Sequence, residues 1–551
     1  MKVSFKFEKT LLDDNISINV IDYLSSLIFS VLSVIGFALK HYGEFFDILN
    51  KDISLVFIIF LILIFTFFYK IIIFLIRFTF CSIIQSKLTS SVIRFVFNNN
   101  YKRNIFFIIL FFWLPYIVIN YPAHIEWDAY HGQILGFLNN NINIHHPLLS
   151  TILMGGAVKL SSFLFNSYDI GIFIYTLIQS ITAILVLTMS IFVLYDIFSN
   201  KSCCVMLLLI YCISPIFPGF LTWVVKDAPY SISVFLCIVL MTELLYKDNK
   251  KYFLFFVSLL LSILFRKNGI YLAIIWFLFL LFYNFFSTKY QFKFNVILVL
   301  FLISIMFGIF FNSFTKRKFA VDKNSDLIET MRIPFQQTSR YVNKYKDQLT
   351  DNEIYSINEV LDMSIGSIYN PTLSDPVKST FHADTKKIFD IYLPIWSQMF
   401  LKHPGTYIDA TLMNTYCFWY PGQTIKNLGI NNHTWSDDEQ LRFNEPKLLK
   451  PIKRLLNAYL YVFTYVPFFS FFFNCGVSVF IMIYLIIFSL VYKVYRNLVL
   501  LMPIIVSFFV CIASPTWSNN GIRYAMPILI SIPFLFFIII NEKNNSICYN
   551  K

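Results

Sequence analysis

Charge is scarce in this chain of 551 residues. Asp, Glu, Lys and Arg together make up 14%, where soluble domains carry roughly a quarter. Glycine and proline, at 16 and 19 residues, are too few for a collagen-like or linker-rich polymer. Nine cysteines occur without any C-x-x-C spacing, so no Cys-based zinc module is expected. Cys203, Cys204, Cys212, Cys237 and Cys511 lie inside apolar runs, where the thiol acts as a small hydrophobe rather than half of a disulfide. A phosphate-binding P-loop, a dinucleotide fingerprint and a G-x-S-x-G elbow in a strand–helix setting are all missing, which argues against a nucleotide-driven pump or a lipase. The opening MKVSFKFEKTLLDDNIS is too polar for a cleaved signal peptide, so the first span is expected to direct insertion.

What is abundant is apolar and aromatic: 57% and 19% of residues, with 65 Phe. Apolar runs of roughly twenty residues recur, each long enough to cross about 30 Å of hydrocarbon. The expected fold class is therefore an all-α polytopic membrane protein. The abundance of Phe, Asn, Lys and Ile suggests an AT-rich bacterial genome, and hence the bacterial inner or plasma membrane. The net charge of +13 does not call for nucleic acid, because the basic residues cluster between spans, where orientation explains them.

Expected spans are 21–40, 54–76, 104–120, 170–195, 203–221, 229–246, 252–265, 269–287, 294–314, 475–493, 498–514 and 523–540, about twelve in all. Basic clusters set the orientation. Arg77, Lys87, Arg94, Lys102 and Arg103 mark one cytoplasmic loop; Lys247, Lys250 and Lys251 a second; Lys289 with Lys293, and Lys493 with Arg496, two more. These agree only if the apolar stretches 148–165 and 455–473 do not cross. Lys159 and Gly155–Gly156 fit an interfacial or re-entrant helix at 148–165. Both termini are then cytoplasmic. The chain divides into a membrane module 1–314 with an outer-face site at 121–168, an extracytoplasmic, mostly helical insert 315–455, and C-terminal spans 456–551.

The segment Trp127–Pro147, WDAYHGQILGFLNNNINIHHP, carries the densest chemistry. Asp128, His131, Gln133, His145 and His146 follow the apolar run Ile105–Ile119, with Glu126 just ahead. Polar groups packed at the mouth of a span are costly unless something binds there. Two carboxylates and three imidazoles suit a general base or a divalent metal ion. Zinc on Asp128, His131, His145 and His146 would match no strong template. Polar residues at other outer-face span ends join this set: Lys226, Asp227, Arg266, Arg523 and Tyr524. Arg at membrane depth costs about 3 kcal/mol or more unless paired or snorkelled. A phosphate would pair with each Arg in bidentate fashion, whereas simple snorkelling is the alternative. In the insert, Arg332, Gln336, Gln337 and Arg340 form a further candidate cluster. Phe381–Asp384, Lys402–Pro404 and Phe418–Pro421 are weaker ones, and packing explains them equally well.

The order of these motifs resembles the GT-C superfamily of polytopic glycosyltransferases, in an uncharacterised bacterial branch. Trp127-Asp128…Gln133…His146-Pro147 matches its first-loop pattern. Arg266-Lys-Asn-Gly269, Ile333-Pro-Phe-Gln-Gln337, Asp375-Pro-Val-Lys378, His403-Pro404 and Arg523-Tyr-Ala-Met-Pro527 follow in order, between about Asn104 and Phe537. The resemblance implies a GT-C-like bundle and transfer of a sugar from a polyprenyl-phosphate donor to an envelope glycan or lipid acceptor. It casts Asp128 as the catalytic acid of the first loop. The Asp-Glu pair of protein mannosyltransferases is absent, since Ala129 follows Asp128. A polysaccharide polymerase or ligase and a lipid-linked glycan transporter stay open as alternatives; a transporter would call for charges or half-helices at the bilayer midplane.

Overall fold

The computed structural model describes residues 2–46, 55–85, 88–98, 100–247, 250–286, 291–319, 325–423, 447–470, 474–513 and 521–548. Among these, every named element is helical, and the only bridges are isolated ones, at Ile125–Val224 and Asn370–Leu373. Ten helices are long and apolar enough to span a bilayer: Asn19–Tyr42, Leu55–Ile76, Tyr101–Ile119, Leu148–Phe165, Tyr168–Phe198, Asp227–Tyr246, Gly269–Phe286, Lys293–Lys318, Arg496–Ala513 and Gly521–Glu542. Lys201–Ile213, Tyr252–Phe265 and Cys475–Val491 are apolar but shorter. The protein is a multi-pass α-helical membrane protein. All helix is what lipid demands, because hydrocarbon offers backbone amides no other partner.

The architecture departs from the sequence reading at one stretch. The stretch 203–221 is no single span: the chain leaves helical geometry at Ser214 and restarts as a short helix, Ile216–Leu221. Pro215 accounts for the break, since the residue before a proline is driven out of the α region. Leu148–Phe165 is one continuous 18-residue helix that Gly155–Gly156 does not interrupt; by length and composition it could cross a bilayer.

The helix Asp227–Tyr246 is the hub. All its residues except Leu236 and Tyr246 are buried, and it packs against Tyr168–Phe198, Tyr252–Phe265, Arg496–Ala513 and the last helix. A helix apolar all round belongs in the middle of a bundle. Its N-terminal residue, Asp227, places a fully buried carboxylate at the helix end. The N-terminal dipole favours an acid there.

The insert builds its own apolar core from Phe335, Tyr341, Val342, Ile357, Ile365, Tyr392 and Tyr407. It is not detached from the bundle. The helix Pro404–Trp419 begins in that core at Tyr407 and ends in the main one at Met413–Trp419. Asp409 accepts hydrogen bonds from the backbone amides of Phe45 and Phe46, 3.0 and 3.1 Å, just past the first span. Lys344 lies 3.0 Å from Glu44. These contacts hold the insert over one end of the bundle.

Candidate active site

Asp128 does not sit in an open loop. It starts a π-helical turn, Asp128–Leu135, a geometry that is rare and concentrates at functional sites. Two local devices fix that turn. Ahead of it, the backbone amide of Val224 donates to the His124 carbonyl (2.9 Å) and that of Glu126 to the Val224 carbonyl (3.3 Å). This bridge lays the approach to Asp128 alongside the approach to Lys226 and Asp227. Behind it, Gln133 is fully buried and donates to Ser150 (2.6 Å) and Thr151 (3.1 Å) at the start of the next helix. Gln133 thus positions the turn and does not face the cavity.

Three acids and three cations then interlock. The Arg523 guanidinium places Nε 3.0 Å from Asp227, Nη2 3.0 Å from Asp128 and Nη1 3.8 Å from Glu126. Arg266 lies 2.9 Å from the other Asp227 oxygen and over the Tyr524 ring, 4.5 Å from its centroid. Lys226 donates to His146 Nδ1 at 3.0 Å and lies 3.6 Å from Asp128. Arg266 and Arg523 are only 6% and 4% exposed, so pairing, not snorkelling, accounts for them. Both arginines turn toward Asp227 rather than projecting unpaired forks into open space.

Burial by itself would raise the Asp128 carboxyl, yet Lys226 and Arg523 hold it well below the usual carboxylate range. Burial, reinforced by Lys226, pushes the His146 imidazole down to about 3, so it is neutral near pH 7. With Lys226 donating to Nδ1, its proton resides on Nε2. Gly132 has no room for a side chain, because a Cβ there would overlap the His146 ring. Gly269 is required in the same way: a Cβ would strike the Ser262 carbonyl, and the tight Arg266–Gly269 turn would open.

These groups face a cavity of about 910 Å³. Seven Lys and Arg side chains and three carboxylates line it, an excess that suits an anion. The polar wall carries Asp128, Lys226, Arg266 and Arg523 from the bundle, and Glu329, Arg332, Asp375 and Lys378 from the insert. The apolar part of the lining comes from Ile263, Ile270, Gly308, Phe311 and Val510 on neighbouring apolar helices.

His145, His146 and Tyr524 also line this cavity. Asp227 and Glu126 stand behind it as partners of Arg523. His131 stacks on Trp127, ring centroids 3.6 Å apart, and lies outside the lining. Gln336 donates to the Leu373 carbonyl, Gln337 to Thr411, and Arg340 to the Gly43 carbonyl. These three residues brace the insert and are not in the cavity wall. The connection 514–520 and insert residues 424–446 lie outside the described residues.

Arg332 and Lys378, like Lys267, Lys316, Glu329 and Asp375, line the cavity although the sequence did not connect them with Asp128. Lys378 bridges Glu329 (2.9 Å) and Asp375 (2.6 Å), and Arg332 pairs with Glu329. Burial lowers both cations from their ordinary values. Their signal was the Asp375-Pro-Val-Lys378 motif, but nothing in the sequence tied it to Asp128. Among the described residues, no group of three or more His, Cys, Asp or Glu side chains is placed to hold a metal ion. Asp128 and His146 both turn toward the Lys226 ammonium, which is a poor fit to a divalent cation.

Residues 137–551 match a family of unknown function, DUF6020. The chain belongs to this family. Its matched region contains every residue that lines the cavity except Asp128. No curated protein and no solved structure matches the chain.

Proposed function

We propose that this DUF6020 protein is an integral-membrane glycosyltransferase of the bacterial cell membrane. In this reading it moves a sugar from a polyprenyl-phosphate-type donor to an envelope glycan or lipid acceptor on the outer face. One observation carries the proposal: a single cavity joins an oriented carboxylate, a surplus of cations and an apolar wall formed by membrane helices. A lipid phosphate needs the last two together, and sugar transfer needs the first.

The acceptor hydroxyl hydrogen-bonds Asp128 and yields its proton as its oxygen bonds the sugar C1. The C1–O bond to phosphate breaks, and the departing phosphate gains charge. Cations around it stabilise that charge more in the transition state than in the ground state. A carboxylate held this acidic is a weak base, since general bases work best near the operating pH. Asp128 therefore contributes orientation of the hydroxyl as much as proton uptake. The donor arrives activated on its lipid, so no nucleotide site is required.

Two measurements test the proposal. Mass spectrometry of envelope glycans from a deletion strain should show one sugar substituent missing. The purified chain in proteoliposomes should release polyprenyl phosphate from a labelled polyprenyl-phosphate hexose when acceptor is supplied. Unchanged glycans together with no release from a panel of such donors would sink the transferase reading.

A further inference from the structure

The cations around the cavity are not equivalent. Arg523 has each nitrogen turned toward a carboxylate, and Arg266 is committed to Asp227 and Tyr524. Lys226 is shared between Asp128 and His146, and Lys378 between Glu329 and Asp375. Arg332 differs. It is 7% exposed and lines the cavity; its Nη2 pairs with Glu329, and the Tyr524 hydroxyl is its other polar neighbour. Its Nε and Nη1 have no hydrogen-bond partner among the described residues. Buried guanidinium N–H groups left unmet are costly, and native structures rarely leave them so.

We infer that Arg332, on the insert, is the ligand for a phosphoryl group that enters the cavity, with the adjoining Lys378 as a second positive charge. The proposal rests on the transferase reading for the identity of the substrate class, but the binding site stands on its own geometry. A phosphoryl oxygen is the acceptor that two buried, unsatisfied guanidinium nitrogens beside a mixed apolar and cationic cavity call for. The apolar wall supplies room for a chain attached to that phosphate. Arg266 and Arg523 then hold Asp128 in place, and the insert, not the bundle, reads the phosphate. This explains why a soluble insert is built over the end of the bundle: its helix Arg332–Tyr345 begins at the ligand.

The test measures binding rather than transfer, so it is separable from the proposed activity. The purified full-length chain in nanodiscs is titrated with polyprenyl monophosphate, with neutral polyprenol of equal length, and with inorganic phosphate. Arg332→Gln should weaken binding of the phosphate-bearing probe about tenfold or more, and Arg332→Lys should recover part of it. Lys386→Gln, at an exposed site on the insert, should change nothing. Preference for polyprenyl monophosphate identifies a lipid source, and equal binding of inorganic phosphate a soluble one; either supports the site provided Arg332→Gln weakens it. Arg332→Cys gives a second readout if Arg332→Gln misfolds: polyprenyl monophosphate, but not polyprenol, should protect the new thiol from a cationic thiosulfonate. Binding unaltered by Arg332→Gln, or equal protection by polyprenol, would overturn the assignment. Phosphate binding without any sugar transfer would leave the site standing and remove the transferase reading.

Discussion

Arg523 Nη2 lies 3.0 Å from Asp128 Oδ2, across 395 positions of sequence. The last helix of the chain thereby aims the carboxylate at the end of the first polar segment. Asp227 holds the same guanidinium from behind, so Asp128 is oriented by a side chain that is itself fixed.

Asp128→Asn should abolish sugar transfer while leaving insertion intact. The amide keeps the size and loses the charge. A drop of about 10²–10⁴-fold in kcat is expected, measured with a labelled polyprenyl-phosphate sugar. Near-normal turnover would remove Asp128 from the chemistry and leave Glu126 as the neighbouring acid to test.

Arg523→Lys and Asp227→Asn should both lower thermal stability in detergent, as well as activity. Lysine has one ammonium where Arg523 reaches three carboxylates. Asp227→Asn leaves two buried guanidiniums without their shared acid, and breaking a buried pair costs about 3–5 kcal/mol. Unchanged melting of both variants would show that the network contributes nothing measurable.

The pH dependence of stability should carry a His146 signature. Its folded value, about 3, lies below the 6.5 of an unperturbed imidazole. As pH falls from about 6.5 toward 3, the unfolded chain takes up a proton that the folded chain refuses. Stability is therefore present above about 6.5 and lost progressively as pH falls through that window. His146→Gln should flatten the loss between pH 6.5 and 4.5 in thermal melts. Asp128, with its folded value depressed, adds a loss only at more acidic pH, below about 4. An equal slope in wild type and His146→Gln would contradict the assignment.

Gly132→Ala should displace the His146 ring. The methyl has nowhere to go, and overpacking of this kind costs about 1–3 kcal/mol. The expected result is weaker activity together with a shifted pH profile, because Lys226 loses its imidazole partner. A Gly132→Ala enzyme with wild-type kinetics would mean that the ring moves without consequence.

Asn141 and Asn352 should lie on one side of the membrane and Lys250 on the other. The described native cysteines are all buried, so single cysteines at these exposed positions report cleanly to an impermeant maleimide. Labelling of 141 and 352 but not 250 in spheroplasts is expected. The reverse pattern would invert the topology and move the proposed chemistry to the cytoplasm.

Much of the architecture was legible in the chain itself. Twenty-residue apolar runs leave only the helix as a solution in lipid, and dense polarity at Glu126–His146 marked the place where burial had to be compensated. Lys226, Arg266 and Arg523 were legible as a set, because cations at helix ends next to apolar runs need partners. Which partners they take was decided by tertiary structure alone. A phosphate and an internal carboxylate satisfy a guanidinium equally well on paper, and only packing of the segment after the third span against the central and last membrane helices gave Arg523 to Asp128 and Asp227. The same holds for Gln133, Gln336 and Gln337: an amide reads as polar in sequence, but whether it faces a cavity or braces a helix depends on what lies across from it. Arg332 is the reverse case. Its neighbours on the chain marked a polar cluster without separating it from Gln336, Gln337 and Arg340, and its significance comes from two buried nitrogens that folding leaves without a hydrogen bond beside the cavity.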